Sequence, residues 1–231
     1  SFASAKRTNI HSLDMRIHKD CFGTIAKTWA FSLLALLLAI YFIPNGIVLS
    51  IVSALILVFM AFTFWFHRLP ERGRNDDDRI ISAVADGKVV IVRKAFEKEY
   101  FNSECIQVSI FMDFFDVHSN FWPMNGVISY YRYHEGNYHL AFLPKASEKN
   151  EHSSTVIKND HCEILFRQIA GTFARRIVCY SEEGKQVESG GDCGIIKFGS
   201  SIDYFLPLDA DIKVKVGDRT RASETIIAQV D

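Results

Sequence analysis

Two uninterrupted apolar runs near the start of this 231-residue chain limit what it can fold into. Residues 24–43 are almost entirely apolar, with Lys27 near their start, and residues 47–66 carry no charge. Each run is close to the ~20 residues a helix needs to cross ~30 Å of hydrocarbon. Pro44-Asn45-Gly46 between them is a turn signal, too short for an extramembrane domain. A helix of a soluble protein keeps a polar face, and neither run has one, so a transmembrane helical hairpin is predicted over residues 24–66. Lys6, Arg7, Arg16, Lys19 and Lys27 precede or open the first run, Arg68, Arg72 and Arg74 follow the second, and the central turn is uncharged. Basic flanks stay on the cytoplasmic side, which places both ends, and the body beyond them, on the cytoplasmic face of the cell (inner) membrane. Trp29, Tyr41, Trp65 and His67 fall near the span ends, where amphipathic rings favour the interface.

The remainder reads as an ordinary globular chain. Its formal net charge of −1 carries no signal for nucleic acid. Cys21, Cys105, Cys162, Cys179 and Cys193 are odd in number, widely spaced and without a Cys-x-x-Cys pair. That argues for separate thiols in a reducing compartment and against a disulfide framework or a metal site. Residues 1–23 read as an N-terminal cytoplasmic segment, of which the first 14 are given no structural weight. Residues 67–79 read as a charged linker, with Asp76-Asp77-Asp78 a solvated run, and residues 80–231 as one body.

That body is predicted to be mostly β. Apolar and β-branched runs recur at residues 88–92, 106–112, 127–133, 155–157, 163–169, 194–198, 202–206, 212–216 and 225–230, punctuated by turn pairs such as Asp86-Gly87, Asn125-Gly126 and Gly190-Gly191. Residues 171–179 fit strand or helix equally. Ala85-Asp86-Gly87-Lys88-Val89-Val90 and the stretch from Val216-Gly217-Asp218 to Ile226-Ile227-Ala228 are loosely alike, as paired turns of barrel-sandwich domains are. The fold class expected is therefore a mostly β (α+β) body of barrel-sandwich character behind a transmembrane hairpin.

The segment Gly194-Ile195-Ile196-Lys197-Phe198-Gly199-Ser200-Ser201-Ile202-Asp203 holds the chemistry. Read by itself, Gly199-Ser200-Ser201 between two strands is a tight turn, and Asp86 is an ordinary Asp-Gly turn residue. Phe198-Gly199-Ser200-Ser201, however, resembles the self-cleavage motif of phosphatidylserine decarboxylases. That motif is Leu-Gly-Ser-Thr in the larger enzymes and Phe-Gly-Ser-Arg in the compact type, from which only Ser201 departs. Further blocks match in order: Ala85-Asp86-Gly87, then Phe115-Asp116-Val117-His118-Ser119-Asn120, then Pro123-Met124-Asn125-Gly126. Ala146-Ser147-Glu148-Lys149-Asn150-Glu151 and Gln168-Ile169-Ala170-Gly171 with Ala174-Arg175-Arg176-Ile177 follow. The resemblance covers nearly the whole body, and the hairpin suits the compact, membrane-anchored bacterial type.

The resemblance implies that the Ser200 hydroxyl attacks the Gly199 carbonyl and turns the amide into an ester. Elimination and hydrolysis then leave Ser200 as a covalent pyruvoyl group heading a small chain, with residues 1–199 as the large chain. Glycine at 199 leaves the attacking oxygen room, and serine needs a base to take its proton and a group to orient that base. His118 and Asp86 are the partners the resemblance supplies. The second histidine of the larger enzymes' motif falls on Phe121, so either His118 serves both cleavage and decarboxylation or His134 or His139 substitutes; His118 is preferred. The pyruvoyl carbonyl is the implied electron sink for loss of carbon dioxide from phosphatidylserine, with His118 as proton donor. No metal is implied, the surrounding lipids are the other partners, and homo-oligomerisation stays open.

Two other readings fit less of the sequence. A non-enzymatic carrier or adaptor on a membrane hairpin needs a modifiable lysine at a hairpin tip, and no Met-Lys-type signal is present. A pyruvoyl decarboxylase of a soluble amino acid leaves the hairpin and the ordered blocks without a reason.

Overall fold

The structure, a computed structural model, describes residues 16–136, 150–171, 177–196 and 200–231. The two apolar runs form helices α1 (Phe22–Phe42) and α2 (Gly46–Phe66). Each has 21 residues and is therefore about 30 Å long. Ile43 is extended, as the residue before a proline must be, which ends α1. Asn45 opens α2 by accepting from the Ile47 and Val48 amides at 3.0 and 3.2 Å, covering donors that a helix start leaves bare. The helices are tied near the body by Trp29, whose indole donates to Thr63 Oγ1 at 3.0 Å. Their outer faces leave Leu37, Tyr41, Ile47, Leu55 and Val58 largely exposed, an arrangement that water penalises and lipid does not. Two helices of this length and apolarity indicate membrane association.

The hairpin is held to the body at both ends. Arg16–Ile17 pairs antiparallel with Arg68–Leu69, and Cys21 and Ile25 pack with Trp29 against Ile195 of the body. Within the stretch expected as a linker, the Arg72 side chain is only 2% exposed and is paired with Asp86 and Glu224. Arg74 pairs with Glu188 and Arg79 with Asp77, both at the surface.

With 42% of the chain in strands, the body is mostly β, its main sheet curled into a half-barrel. Eight strands run in the order Gln186–Val187, Gly126–His134, His152–Lys158, Glu163–Ala170, Ser200–Leu206, Ser103–Met112, Gly87–Glu97 and Arg219–Thr220. All neighbouring pairs are antiparallel. Side chains alternate across it. Ser200, Ile202, Tyr204 and Leu206 face the main core with Val108, Ile110, Met112, Phe166 and Ala170. Ser201, Asp203 and Phe205, with Gln107 and Arg167, face the other way. Two three-stranded sheets flank it: Ile177–Cys179, Asp192–Ile196 and Ser119–Phe121 form one, and Asp211–Ile212, Ile226–Gln229 and Ile80–Ser82 the other.

Most of the expected strands are present, and the differences have local causes. The run at 212–216 keeps strand pairing only at Asp211–Ile212, because the Lys215 amide donates to Asp218 Oδ2 and the Asp218 amide to Lys215 O, folding the chain into a turn. The ambiguous stretch 171–179 contains the strand Ile177–Cys179, while 172–176 lie outside the described residues. The two loosely similar turns lie side by side: Arg219 pairs with Lys88, and the Val89 and Gly217 amides donate to Asp218 O and Val89 O. All five cysteines are free thiols.

Candidate active site

Ser200 opens the central strand of the main sheet, with Met112 beside it on one neighbour and Ala170 on the other. It is fully buried, and its hydroxyl donates to Met112 Sδ at 3.0 Å. Gly199, the other half of the expected cleavage step, lies outside the described residues with Lys197 and Phe198, as do His139, residues 146–149 and residues 174–176.

Backbone pairing places His118 against the end of the strand that precedes Ser200 in the chain. Ser119 and Asn120 pair with Ile195 and Gly194, and His118 O accepts from the Ile196 amide at 3.2 Å. His118 therefore sits where the strand leading to Ser200 ends, four residues short of it. Gly194 allows this strand to pack tightly: its φ is +137°, and a Cβ there would lie 2.0 Å from Val178 O.

The His118 ring is fully buried, 4.3 Å centroid to centroid from Phe66 at the end of α2. Its Nδ1 lies 3.0 Å from Asp116 O. A carbonyl only accepts, so Nδ1 carries the proton and Nε2 keeps a free lone pair. Nε2 is buried and, among the described residues, has no hydrogen-bond partner. Burial holds the His118 pKa down at about 4 against the hydrogen bond to Asp116 O, and the charges of Arg68 and His67 push the same way as burial. At neutral pH the ring is thus a neutral imidazole with a vacant acceptor, the state a general base requires.

Asn120 adds a donor. It is fully buried, its Oδ1 accepts from Gln168 Nε2 at 2.8 Å, and its Nδ2 is unpartnered among the described residues. Gln168 pairs with Ile202, one step along the core face from the Ala170–Ser200 pair. Leaving a buried amide donor unpaired costs free energy, so the vacancies at His118 Nε2 and Asn120 Nδ2 are two buried polar positions open to a further polar group. A small carbonyl-bearing group formed from Ser200 fits these donors and acceptors.

Asp86 lies in the turn before Gly87–Glu97, two strands from Ser200, since Ser200 pairs with Met112 and Lys88 with Phe111. A side chain at Gly87 is excluded, because its Cβ would meet Phe111 O at 2.4 Å. The Asp86 carboxylate accepts from Arg72 Nη2 at 2.7 and 2.9 Å and from the Ala222 amide at 2.7 Å. The orienting contact of the His118 ring is the Asp116 carbonyl. Phe121, at the second histidine position, is a buried apolar residue whose amide donates to Val84 O. His134 shares a row with His152, Ile169 and Ser201, so the sheet separates its side chain from Ser200.

Several contributors were not legible from sequence. Phe66 and Arg68 read there as span end and basic flank, yet Phe66 covers His118, and Arg68 O accepts from Ser119 Oγ at 3.1 Å. Asn120 stands in the block from Phe115 to Asn120, and its position two residues after His118 is the signal for it in the sequence.

The family model described as phosphatidylserine decarboxylase matches residues 59–228. A phosphatidylserine decarboxylase proenzyme of Amoebophilus asiaticus is 44% identical over 94% of this chain and 97% of its own length. Those of Cytophaga hutchinsonii and Bacteroides thetaiotaomicron are 41% and 40% identical, over 93% and 94% of this chain and 99% and 96% of theirs. An ordered motif set, a buried serine at a strand start and relatives matched almost end to end agree: this chain belongs to the phosphatidylserine decarboxylase family.

Proposed function

We propose that this chain is made as a proenzyme, converts Ser200 into a pyruvoyl group by cutting between Gly199 and Ser200, and then decarboxylates phosphatidylserine to phosphatidylethanolamine in phospholipid biosynthesis. The observation that carries the reading is the vacant, unprotonated Nε2 of a buried His118 beside the strand that leads to Ser200. In maturation His118 takes the Ser200 hydroxyl proton as the oxygen adds to the carbonyl of Gly199, and returns a proton as the peptide nitrogen departs. Asn120 Nδ2 supplies a donor for the oxygen that gains charge. Asp86 serves maturation from its turn, and its ion pair with Arg72 fixes where its carboxylate points. When present, the pyruvoyl group supplies the electron sink for carbon dioxide loss. His118 Nε2 first takes a proton from the substrate's ammonium group, which must lose it to react as an amine, and then returns it to the carbon that loses the carboxylate, while Phe66 and the core exclude bulk water.

The substrate's two acyl chains hold it in a bilayer, and the hairpin holds the body there too. The basic flanks at both hairpin ends support a cytoplasmic body at the inner membrane. Intact mass of the purified protein tests the maturation: two chains divided before Ser200, the smaller blocked to Edman degradation, are expected, and Ser200→Ala should yield one chain with no activity. In liposomes, carbon dioxide release from phosphatidylserine and none from free serine, histidine or aspartate is expected. A single unmodified chain, or activity confined to soluble amines, would overturn the proposal.

A further inference from the structure

We propose that the turn at residues 113–116 is a second membrane contact, which seats Phe114 and Phe115 in the leaflet holding the end of α2 and so fixes the mouth of the His118–Ser200 site at headgroup level. The inference rests on the membrane-bound decarboxylase reading above and adds to it a particular surface.

The geometry comes from α2. The Phe114 ring lies flat on Phe62, 5.3 Å between centroids with planes 2° apart, and 5.8 Å from Phe66. Four residues of helix rise about 6 Å. Phe114 therefore stands level with the last turn of α2, inside the uncharged span, rather than beyond its end. Phe115 sits beside Trp65 at 6.3 Å, and the Arg68 guanidinium lies 3.7 Å over the Trp65 ring while donating to Phe115 O at 3.1 Å. An amphipathic ring with a cationic side chain next to it at the end of a span is the arrangement favoured at a membrane–water boundary.

The turn is also held outward rather than allowed to fold back. The Phe115 amide donates to Asp113 Oδ1 and the Asp113 amide to Asp116 Oδ2, both at 2.9 Å. Arg219 pairs with both carboxylates at 3.2 Å, which offsets one of the two negative charges that would repel an anionic leaflet. In this rigid setting Phe114 is 44% and Phe115 68% exposed. Other large apolar residues exposed on the body, such as Phe96, Leu208 and Val216, stand singly and need no partner. Phe114 and Phe115 are adjacent and continuous with the exposed apolar surface of α2, which commits them to the same solvent as that helix. His118 follows Phe115 by three residues, so the depth of the turn sets the height of the catalytic ring above the acyl chains, and a lipid reaches it by lateral diffusion.

The test uses the full-length enzyme in phosphatidylcholine vesicles. Phosphatidylserine is presented either in the vesicles or as the dihexanoyl lipid, monomeric in the bulk solution. For Phe115→Ser, kcat/KM on vesicle phosphatidylserine should fall about tenfold, a difference of ~1.4 kcal/mol, while the rate on monomeric lipid stays within twofold. Phe115→Leu should restore the vesicle rate, and self-cleavage should be normal in both. An unchanged vesicle rate overturns the proposal. So does an equal loss on both substrates, including one that accompanies a change in oligomer size and assigns the turn to a contact between copies. An independent arm places p-cyanophenylalanine at position 115 and measures quenching by lipids brominated near the glycerol end. Strong quenching is expected, and its absence overturns the proposal. This arm stands even if the wild-type enzyme were inactive on both substrates, which would sink the decarboxylase reading alone.

Discussion

On one face of the central sheet, Glu99 accepts from His134 Nε2 at 2.6 Å, Ser154 Oγ at 2.7 Å, Arg167 Nη2 at 2.8 Å and the Tyr130 hydroxyl at 3.2 Å. His152 stacks on His134 at 4.4 Å and bonds Asn150 O through Nδ1. These groups line a cavity of about 390 Å³ with Arg93, Lys98 and Gln107. On the other face, Ser200 and His118 are enclosed by apolar side chains, and His118 Nε2 and Asn120 Nδ2 have no partner among the described residues. The first cluster has more charge and more histidines, and it lines a cavity. Yet its central carboxylate is fully engaged, as a structural network requires. The second has few polar atoms and leaves two of them vacant. On the proposed reading, the chemistry belongs to the face where buried polar groups are kept unpaired, not to the face with more titratable residues.

The largest expected effect tests that contrast directly. Replacing His118 by Ala should slow self-cleavage ~10²- to 10⁴-fold, the range for loss of a general base, with the body still folded by circular dichroism. Replacing His134 by Gln should change the cleavage rate by less than about threefold. Gel-resolved time courses of chain splitting measure both. Equal effects would mean that the sheet does not insulate the two clusters and that His134 shares the proton transfer.

Acid sharpens the difference, because the two faces should fail in separate pH windows. Burial depresses the His118 pKa from 6.5 to about 4, so the unfolded chain binds more protons between those values. Stability from neutral His118 is therefore lost as pH falls from 6.5 through about 4. For Glu99, burial by itself would raise the pKa, but hydrogen bonds from His134 and Ser154 and the Arg167 charge outweigh it and bring it from 4.5 to about 2. That contribution is present above pH 4.5 and lost as pH falls through about 2. Urea unfolding of the nanodisc-embedded protein across pH should show both slopes. Glu99→Gln should flatten the lower one and cost about 1–3 kcal/mol at pH 7, since Arg167 keeps Glu97 but loses a buried partner. His118→Gln should flatten only the upper one. A single merged slope would dissolve the distinction.

How far the sequence reaches differs between these parts. The hairpin is legible because composition and flanking charge are local properties, and the β body because alternation is. Ser200 and His118 are legible through the order of their motifs. That His118 presents Nε2 is not, because it depends on the backbone carbonyl of Asp116, which any residue type at 116 would supply. Arg72 counts as one of three basic flanking residues in sequence and becomes the buried partner of Asp86 only when residues 72 and 86 are folded together. Nor can sequence rank His134 below His118 by environment, since the face each occupies follows from strand register across several chain-distant pairs.

The smallest effect concerns the contact that the Ser200 hydroxyl makes among the described residues. Its donation to Met112 Sδ at 3.0 Å uses a weak acceptor and turns the proton away from His118. Met112→Leu keeps nearly the same volume in the core and removes that acceptor. A neutral hydrogen bond is worth about 1 kcal/mol, which corresponds to roughly fivefold in a competing equilibrium. Self-cleavage should therefore speed up two- to fivefold, with decarboxylation by the matured enzyme within twofold, because the hydroxyl no longer exists by then. If the Leu variant cleaves more slowly, the sulfur is aiming the oxygen rather than restraining it. The Ser200 face would then be organised by bonds already made, as the Glu99 face is, and vacancy alone would not identify the site.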